Sequence, residues 1–273
     1  MSYVLENEFV YLECVEKGGE IQSFFDMDGT LYNRKNHTVS LKTCLALQKL
    51  KDQGHFVGLC TSRCFQELQH LPSYIRNFSF DTMILDGGSF ILDSNQNVLY
   101  KNPIDLKLME KVNEYCLKHH ILYRYSTSDQ NYWGNIPNLQ LHQVWMNLYL
   151  CTPVYKRYEK EEVLNLLIMT RELEHLNYFK DLFDHKGIVQ YPDCIEIRSD
   201  GLDKAKAIHR IKEKENFDSV ICFGDGENDI QMLKMADTGI AMGNALDIVK
   251  EQADLVIGSI EMDSIYQYVF KED

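Results

Sequence analysis

The sequence predicts an α/β fold, in which a parallel sheet carries helices on both faces and is interrupted by an α+β insertion. From residue 20 onward, short apolar runs alternate with amphipathic helical segments, which is typical of parallel sheets. The same alternation returns after residue 202, whereas strand patterns dominate the region between. We therefore predict a sheet domain of residues 1–87 and 196–273 and an inserted domain of residues 88–195.

The first half of the sheet domain is predicted from three apolar strands and one capped helix. Ile21–Phe25 has the pattern of a buried strand, and the residues before it predict either an added hairpin or a loosely attached tail. Ser40 is a predicted N-cap for a helix that Gly54 closes. Two further strands are predicted at His55–Cys60 and Met83–Leu85.

The insertion and the second half of the sheet domain follow from the same patterns. In the insertion we predict a hairpin of residues 89–92 and 98–101, helices at 105–119 and 172–183, and strands at 121–125, 163–169, 188–190 and 195–198. In the second half we predict helices at 203–214, 227–235 and 245–250 and strands at 219–223, 239–242 and 255–257.

Composition limits the partners of the chain. The 273 residues include 28 Lys+Arg against 41 Asp+Glu, a net charge of −13, which argues against a nucleic-acid surface. The N-terminus carries Glu6 and Glu8 instead of a basic secretory signal, and the uncharged stretch Gln130–Tyr155 is too rich in amides for a membrane span. Eight cysteines without a CxxC pair predict buried thiols in a cytoplasmic protein.

Two carboxylates follow the first predicted strand and are separated by one residue, Asp26-Met27-Asp28. Side chains at i and i+2 of an extended chain point to the same side, so Asp26 and Asp28 can share a pocket at the carboxyl edge of the sheet. Adjacent carboxylates repel each other, which makes a bound cation favourable. Gly29 permits a sharp turn after them. The alternative is an ordinary acidic turn after a strand.

A second acidic loop, Gly224-Asp225-Gly226-Glu227-Asn228-Asp229, lies between a predicted strand and a predicted helix. The carboxylates of Asp225 and Asp229, joined to Asp26, form the hard-oxygen set that Mg²⁺ prefers. The alternative is a glycine-rich turn whose acidic residues cap the helix.

Two weaker signals complete the pattern. Thr61-Ser62-Arg63 follows a predicted strand, and Lys204 opens a predicted helix. Thr61 offers a hydroxyl and a backbone N–H to a phosphate oxygen, and Lys204 offers a compact positive charge. Each alone has an ordinary alternative, a turn hydroxyl and a solvated lysine. Their order along the chain, however, brings all these groups to one edge of one sheet.

In this order the motifs resemble those of the haloacid dehalogenase-like superfamily of phosphatases. The run Gly239-Ile240-Ala241-Met242-Gly243-Asn244-Ala245 and the insertion before Lys204 are similar to its Cof-like branch, which has a large α/β (type IIB) cap. The resemblance covers residues 20–270. It implies a Rossmann-like core with the insertion as cap, and Mg²⁺-dependent hydrolysis of a small phosphorylated metabolite, such as a sugar phosphate or a phosphorylated cofactor.

The resemblance also implies a role for each motif residue. Asp26 would be the nucleophile that becomes an aspartyl-phosphate, and Asp28 would protonate the leaving alcohol and then activate water. The metal would be bound by Asp26, the backbone carbonyl of Asp28 and Asp225. Asp229 would complete the metal site by orienting Lys204 or the water shell of the metal. The phosphoryl oxygens would be held by Thr61, Ser62, Lys204 and Asn228.

The chain departs from the family pattern at two positions. Ser62 stands where the family often has glycine, and Asp86 stands where it often has asparagine. An acid at position 86 would disfavour substrates with a second phosphate near the leaving group. The insertion is rich in aromatic residues, which favour core packing over substrate stacking: Tyr123, Tyr125, Tyr132, Trp133 and Trp145.

Two other functions remain open. A phosphomutase would use the same residues and return the phosphoryl group to a second hydroxyl. A non-enzymatic phospho-acceptor module would use only the aspartate, but it has no need of Asp28 as a second carboxylate or of a large cap. For the enzyme we expect a monomer or a weak homodimer whose partner is a small metabolite, with no nucleic acid and no membrane.

Overall fold

The computed structural model describes residues 21–199 and 201–270, which form two main sheets with flanking helices. The strands are β1 (Gln22–Phe25), β2 (Tyr32–Asn33), β3 (Thr38–Val39), β4 (Phe56–Cys60), β5 (Thr82–Leu85), β6 (Phe90–Asp93), β7 (Val98–Lys101), β8 (Tyr123–Ser126), β9 (Asn131–Trp133), β10 (Val154–Tyr155), β11 (Asn165–Ile168), β12 (Ile188–Gln190), β13 (Ile195–Arg198), β14 (Ile221–Gly224), β15 (Thr238–Ala241) and β16 (Leu255–Val256). The helices are α1 (Leu41–Asp52), α2 (Phe65–Leu68), α3 (Ser73–Arg76), α4 (Leu106–Lys118), α5 (Leu139–Tyr149), α6 (Leu173–Leu182), α7 (Lys204–Glu215), α8 (Ile230–Met235), α9 (Asp247–Lys250) and α10 (Ser264–Phe270).

The core sheet has the strand order β16-β15-β14-β1-β4-β5-β6-β7. From β16 to β5 neighbouring strands are parallel, and the β6–β7 hairpin is added antiparallel at the edge. The predicted Rossmann-like parallel sheet is therefore confirmed. Because β1 lies between β14 and β4, the residues that follow it open onto the middle of the carboxyl edge.

Helices cover both faces of the core sheet, as the sequence predicts. Phe24 of β1 belongs to a buried cluster with Ile208 of α7, whereas its neighbour Phe25 belongs to a second cluster with Leu47 of α1. The ring of Phe25 stacks on Phe223 with 4.5 Å between centroids. Burying one such aromatic side chain contributes roughly 1.5–3 kcal/mol, so the central strands are firmly held.

The signals predicted for the first helix are confirmed in α1. The Ser40 hydroxyl accepts a hydrogen bond from the backbone N–H of Thr43 at 3.0 Å. After the helix, Gly54 adopts a φ of 82°, a left-handed conformation that glycine reaches without strain. The cap residues named from the sequence therefore set both ends of this helix.

The cap sheet has the strand order β10-β9-β8-β11-β13-β12. Helices α4 and α6 pack on one face, where Val112 and Phe179 join Tyr125 and Leu166 in a buried cluster. Four of the five aromatic side chains singled out in the sequence are buried, as the packing interpretation predicts: Tyr123, Tyr125, Trp133 and Trp145. The opposite face is polar and is turned toward the core: Arg124, Ser126, Asn165, Glu196 and Arg198.

Sheet membership differs from the domain boundaries that the sequence predicts. The hairpin of β6 and β7 forms as predicted, but it extends the core sheet although it falls within the predicted insertion of residues 88–195. Strand β13 ends at Arg198 and pairs with β11 and β12 in the cap sheet, although residues 196–198 fall in the predicted core. Hydrogen-bond pairing decides membership, since β6 pairs with β5 and β13 pairs with β11, and the local pattern of a strand does not report its partner.

Two segments remain to be compared with the sequence predictions. Helix α5 lies in the uncharged stretch for which no helix is predicted, and the hairpin predicted before β1 falls outside the described residues. Among residues 21–199 and 201–270, no helix combines the length and apolar character needed to cross a bilayer.

Candidate active site

Asp26 stands at the centre of the carboxyl edge of the core sheet. Its backbone N–H donates to the carbonyl of Phe223 at 2.9 Å, which extends the pairing of β1 with β14 by one residue. The side chain is only 5% exposed. Burial, with the nearby charge of Asp229, raises the pKa of Asp26 well above its ordinary value.

Lys204 is completely buried beside Asp26. Its Nζ donates to Asp26 Oδ1 at 2.5 Å and to Asp229 Oδ1 at 2.6 Å. Asp203 caps the helix that begins at Lys204 by accepting from the backbone N–H of Lys206, which fixes where the lysine side chain starts. Burial alone would lower the pKa of Lys204, but attraction to Asp229 and Asp26 outweighs it, so the ammonium group is retained.

Three carboxylates meet at this edge. One oxygen from each of Asp26, Asp225 and Asp229 lies within 4.8 Å of the others. Burial and the charge of Asp229 raise the pKa of Asp225 to about 7. Gly29 makes the approach possible, because a Cβ at this position would lie 2.1 Å from Asp225 Oδ2. The crowded oxygens match the donor set of a hard divalent cation.

Asp229 has a defined place within this group. Its Oδ1 accepts from Lys204, and its Oδ2 accepts from the backbone N–H groups of Asp225 and Gly226 at 3.0 and 2.9 Å. Both carboxylate oxygens therefore have protein partners. The role of Asp229 in orienting Lys204 or the water shell of the metal stays a prediction.

The Asp28 carboxylate is directed to a different partner. It accepts two hydrogen bonds of 2.8 Å from Arg63, one from Nε and one from Nη2, and a longer one of 3.5 Å from Arg34. Burial would raise the pKa of Asp28, but the charge and hydrogen bonds of Arg63 lower it below its ordinary value. The Asp28 carboxylate does not belong to the three-carboxylate group found among the described residues.

Arg63 was not assigned a function from the sequence. It is 2% exposed, and its guanidinium lies over the rings of Tyr32 and Tyr149 at 4.6 and 5.1 Å from their centroids. Tyr32 comes from the core and Tyr149 from α5, so the cap takes part in holding Arg63. The available signal was its position two residues after Thr61, in the loop already singled out.

Thr61 and Ser62 follow β4, as predicted, but their side chains differ in surroundings. Thr61 Oγ1 accepts a hydrogen bond from the backbone N–H of Arg63 at 3.1 Å. The backbone N–H of Thr61 itself donates to the carbonyl of Ile84 at 2.8 Å. Ser62 Oγ contacts Asn228 Nδ2 at 3.2 Å in the core. It also contacts cap residues, at 3.1 Å for Arg198 Nη2 and 3.3 Å for Glu196 Oε2.

A buried polar network joins core and cap beside these residues. Glu67 of α2 accepts from Arg124 at 2.9 Å and from Asn131 at 3.0 Å. Asp86 accepts from the Ser126 hydroxyl at 2.5 Å. Burial raises the pKa of Asp86 to about 7, although Arg124 opposes the shift. No local sequence pattern predicts this network, because its partners are far apart along the chain.

A cavity of about 720 Å³ lies between core and cap. Its core side includes all the predicted site residues except the buried pair Lys204 and Asp229: Asp26, Asp28, Thr61, Ser62, Asp225 and Asn228. Its cap side is formed by α5, by β11 and the residue after it, and by the turn between β12 and β13. The arrangement places carboxylates and hydroxyls at the floor of a covered cavity, with the buried Lys204 in contact with Asp26, so that an anionic group can be bound and attacked.

Known proteins share this architecture. A family model for haloacid dehalogenase-like hydrolases matches residues 23–269. The 5-amino-6-(5-phospho-D-ribitylamino)uracil phosphatase YcsE of Bacillus subtilis (strain 168) is 31% identical over 233 residues, which cover 85% of this chain and 87% of that protein. Pyridoxal phosphate phosphatase YbhA of Escherichia coli (strain K12) is 28% identical over 271 residues, covering 90% of this chain and 96% of that one.

Solved structures extend the comparison to the cap. A protein from Geobacillus kaustophilus HTA426 superposes with a TM-score of 0.81 at 26% identity, covering 93% of this chain and 98% of that one. The HAD subclass IIB sugar phosphatase BT4131 superposes with a TM-score of 0.79 at 24% identity, covering 92% and 98%. Core and cap are thus arranged as the resemblance implies. The chain belongs to the haloacid dehalogenase-like hydrolases and is an enzyme of their phosphatase branch.

Proposed function

We propose that the protein is a Mg²⁺-dependent phosphatase that hydrolyses a small phosphorylated metabolite through an aspartyl-phosphate on Asp26. The observation that carries the proposal is the contact of Asp26, which lines the cavity, with the buried Lys204. Asp225 lies in the same carboxylate group, and the Asp28–Arg63 pair lines the same cavity. A buried carboxylate kept next to a retained ammonium group is arranged to attack an anionic substrate.

In the first step, a carboxylate oxygen of Asp26 forms a bond to phosphorus while the bond from phosphorus to the leaving oxygen breaks. We assign to Asp28 the proton that the leaving alcohol needs. Because pairing with Arg63 lowers the pKa of Asp28, this role requires Asp28 to take up a proton and to give up at least one of its two hydrogen bonds to Arg63. In the second step, water attacks the aspartyl-phosphate, Asp28 takes up its proton, and inorganic phosphate and free Asp26 result. Lys204 stays beside Asp26 throughout and offsets charge on the phosphoryl oxygens.

The residues present fit a divalent cation. The clustered oxygens of Asp26, Asp225 and Asp229 are hard donors, and the close approach at Gly29 leaves the Asp225 oxygens facing this loop. We assign Asp26, the backbone carbonyl of Asp28 and Asp225 to the cation, with Asp229 orienting Lys204. Bound Mg²⁺ would neutralise part of the charge on the transferring phosphoryl group.

We assign the phosphoryl oxygens to Lys204, Thr61 and the Ser62–Asn228 pair. Thr61 Oγ1 is a hydrogen-bond acceptor for Arg63, so its own hydroxyl proton is available to a phosphate oxygen. Ser62 and Asn228 contact each other and both border the cavity next to Thr61. The contact of Ser62 with the cap residues Glu196 and Arg198 supports a role in positioning the floor of the cavity as well as in binding.

The covered cavity favours a small-molecule enzyme over a phospho-acceptor module, because a signalling aspartate has to be reached by another protein. Of the two substrate classes expected, the names of the relatives favour the phosphorylated cofactor, since both named substrates carry a nitrogen heterocycle. Within 21–199 and 201–270 every cysteine is unpaired, which supports the cytoplasm as its compartment.

The test is phosphate release from a panel of phosphate esters, with and without Mg²⁺, for the parent protein and Asp26→Asn. We expect metal-dependent release that the substitution abolishes, and turnover at the parent rate in Asp26→Asn would refute the assignment of the nucleophile. Asp28→Asn should slow turnover and leave phosphoenzyme that can be trapped when the leaving group is good. Transfer of the phosphoryl group to a second hydroxyl, in place of release, would identify a phosphomutase.

A further inference from the structure

The two ends of the cavity differ in character. The core end carries the carboxylates and the cations that pair with them, whereas the wall formed by α5 contains no charged residue from Leu139 to Tyr149. Leu141, Val144 and Leu148 recur at spacings of three and four residues, so they share one face of the helix, and all three line the cavity. Val144 is 44% exposed and Leu148 is 40% exposed, which is unfavourable for apolar side chains unless something covers them.

The wall opposite the helix is also apolar where it leaves the reaction centre. Leu167 lies on the cavity face of β11, directly between Arg124 of β8 and Glu196 of β13 in the register of the sheet. Met169, two residues later, lines the same cavity, as does Pro192 from the β12–β13 turn. An apolar stripe thus runs along a sheet face whose other residues are polar.

The cations that border the cavity already have partners. Arg63 is bonded to Asp28, and Arg124 is bonded to Glu67 and Asn165. Arg34 is the remaining cation of the described lining, and it contacts Asp28 next to the reaction centre. At the cap end the charged side chain added by the β12–β13 turn is Asp193, an acid. Asp193 is itself paired with Arg171, which does not line the cavity. Among the described lining residues, a second phosphate or a carboxylate would therefore meet no cation that lacks an acidic partner.

We propose that the leaving alcohol of the substrate carries a neutral ring with an apolar face, and that α5 and the Leu167–Met169 stripe hold this ring between them. The proposal rests on the phosphatase function argued above and names the class of ester it serves. Phosphorylated heterocycles and aromatic alcohols fit this description, whereas open polyols, sugars and bisphosphates do not. Val144 and Leu167 are the residues that select the ring.

The test compares benzyl phosphate with ethyl phosphate, two primary-alcohol esters that differ in the ring. Glucose 6-phosphate and fructose 1,6-bisphosphate provide the sugar and the doubly charged ester. With Mg²⁺ present, we expect kcat/KM for benzyl phosphate to exceed each of the others at least tenfold. Equal or higher kcat/KM for ethyl phosphate or for either sugar ester would overturn the ring assignment and leave the phosphatase function standing.

A matched pair of substitutions on α5 locates the ring. In Val144→Asp the ratio of kcat/KM for benzyl over ethyl phosphate should fall at least tenfold. Met146→Asp places the same charge two residues further on a side chain that is 41% exposed but does not line the cavity, and its ratio should match the parent. An unchanged ratio in Val144→Asp, or an equal loss in both variants, would contradict the proposed position.

Binding separates the ring assignment from catalysis. Calorimetry with the non-hydrolysable benzylphosphonate and ethylphosphonate should show at least tenfold tighter binding of the benzyl compound to the parent protein with Mg²⁺. If neither ester is hydrolysed but this difference in binding is found, the ring site stands and the phosphatase function fails. Equal binding of the two phosphonates would overturn the ring site whatever the turnover.

Discussion

The carboxylate of Asp28 and the guanidinium of Arg63 are joined by two hydrogen bonds of 2.8 Å at the floor of the cavity. Tyr149, at the end of α5, lies over the same guanidinium. The side chain assigned as proton carrier is thus oriented by an arginine that core and cap hold together, which makes the geometry of the reacting groups depend on the cap.

Arg63→Lys tests this dependence. Lysine keeps the charge but lacks the planar fork that makes both bonds and stacks on the tyrosine rings. We expect kcat to fall roughly 10- to 100-fold, while KM changes little, because a misplaced proton carrier affects the chemical step. Steady-state kinetics on one ester measures both constants. Arg34→Lys is the control, since Arg34 is largely exposed and makes a longer bond of 3.5 Å to Asp28. Equal losses in the two variants would contradict the assignment.

Lys204→Met tests the buried ion pairs. The substitution leaves Asp26 and Asp229 without their shared cation in a buried site, and such a loss costs about 3–5 kcal/mol of unfolding free energy. Urea unfolding in the absence of divalent metal should show the decrease. Lys206→Met, at an exposed lysine on the same helix, should change the unfolding free energy by less than about 0.5 kcal/mol. A Lys204→Met protein as stable as the parent would refute this account of the pair.

Metal binding should stabilise the fold. A ligand at about 100 times its dissociation constant adds about 2.7 kcal/mol to the unfolding free energy, and this raises Tm by roughly 5–10 °C in a protein of this size. Differential scanning calorimetry with Mg²⁺ and with EDTA measures the shift. Asp225→Asn should lose it, whereas Glu227→Gln, in the same loop but outside the three-carboxylate group, should keep it. A full shift in Asp225→Asn would count against the metal assignment.

Asp86 predicts a pH dependence of stability. Its pKa is raised from 3.8 to about 7 by burial, against the opposing effects of Arg124 and Ser126, while Glu67 and Glu196 add to the rise. The folded protein therefore binds a proton that the unfolded chain has released, so the contribution of Asp86 is favourable below pH 4 and is lost progressively up to pH 7.

Asp86→Asn should remove this loss, because asparagine keeps an acceptor for Ser126 and carries no charge. The unfolding free energy of the variant relative to the parent should rise between pH 4 and pH 8 by up to about 4 kcal/mol. Denaturant titrations across this range give the difference. Ser126→Ala removes a hydrogen bond that lowers the pKa of Asp86, so in this variant the decline in unfolding free energy should be larger than in the parent and should continue to higher pH. Parallel pH profiles for parent and Asp86→Asn would exclude the effect.

The sequence predicted the parts of the site that follow from local order. Asp26, Thr61, Lys204 and Asp225 each follow a strand or open a helix, and the carboxyl ends of parallel strands meet at one edge. Their proximity was therefore readable without coordinates. The side-chain partners could not be predicted in this way. Whether Asp28 pairs with Arg63 and Asp229 with Lys204 depends on side-chain rotamers and burial.

The cap was harder to predict for physical reasons. Helix α5 turns part of its apolar face to a cavity, and Trp145 is its one buried residue, so the periodicity that reports a packed helix is weak. Strand β13 and the β6–β7 hairpin have ordinary strand patterns, but their sheet is decided by the strand that each pairs with, β11 for β13 and β5 for the hairpin. Sequence patterns thus predicted most of the strands and helices, except for α5 among others, whereas tertiary pairing decided which sheet each strand joins.

The hydroxyl of Ser62 contacts Glu196 and Arg198 of the cap. These contacts limit which caps can be combined with this core, both in engineering and in evolution. A cap transplanted from a relative would keep these contacts only if it carries an acid and an arginine at the positions of Glu196 and Arg198. Glu67 would likewise lose its contact unless the cap carries an arginine at the position of Arg124. Chimeras of this enzyme should therefore be active only when Ser62 and Glu67 are exchanged together with the cap. The unit that can be exchanged between relatives thus includes part of the core.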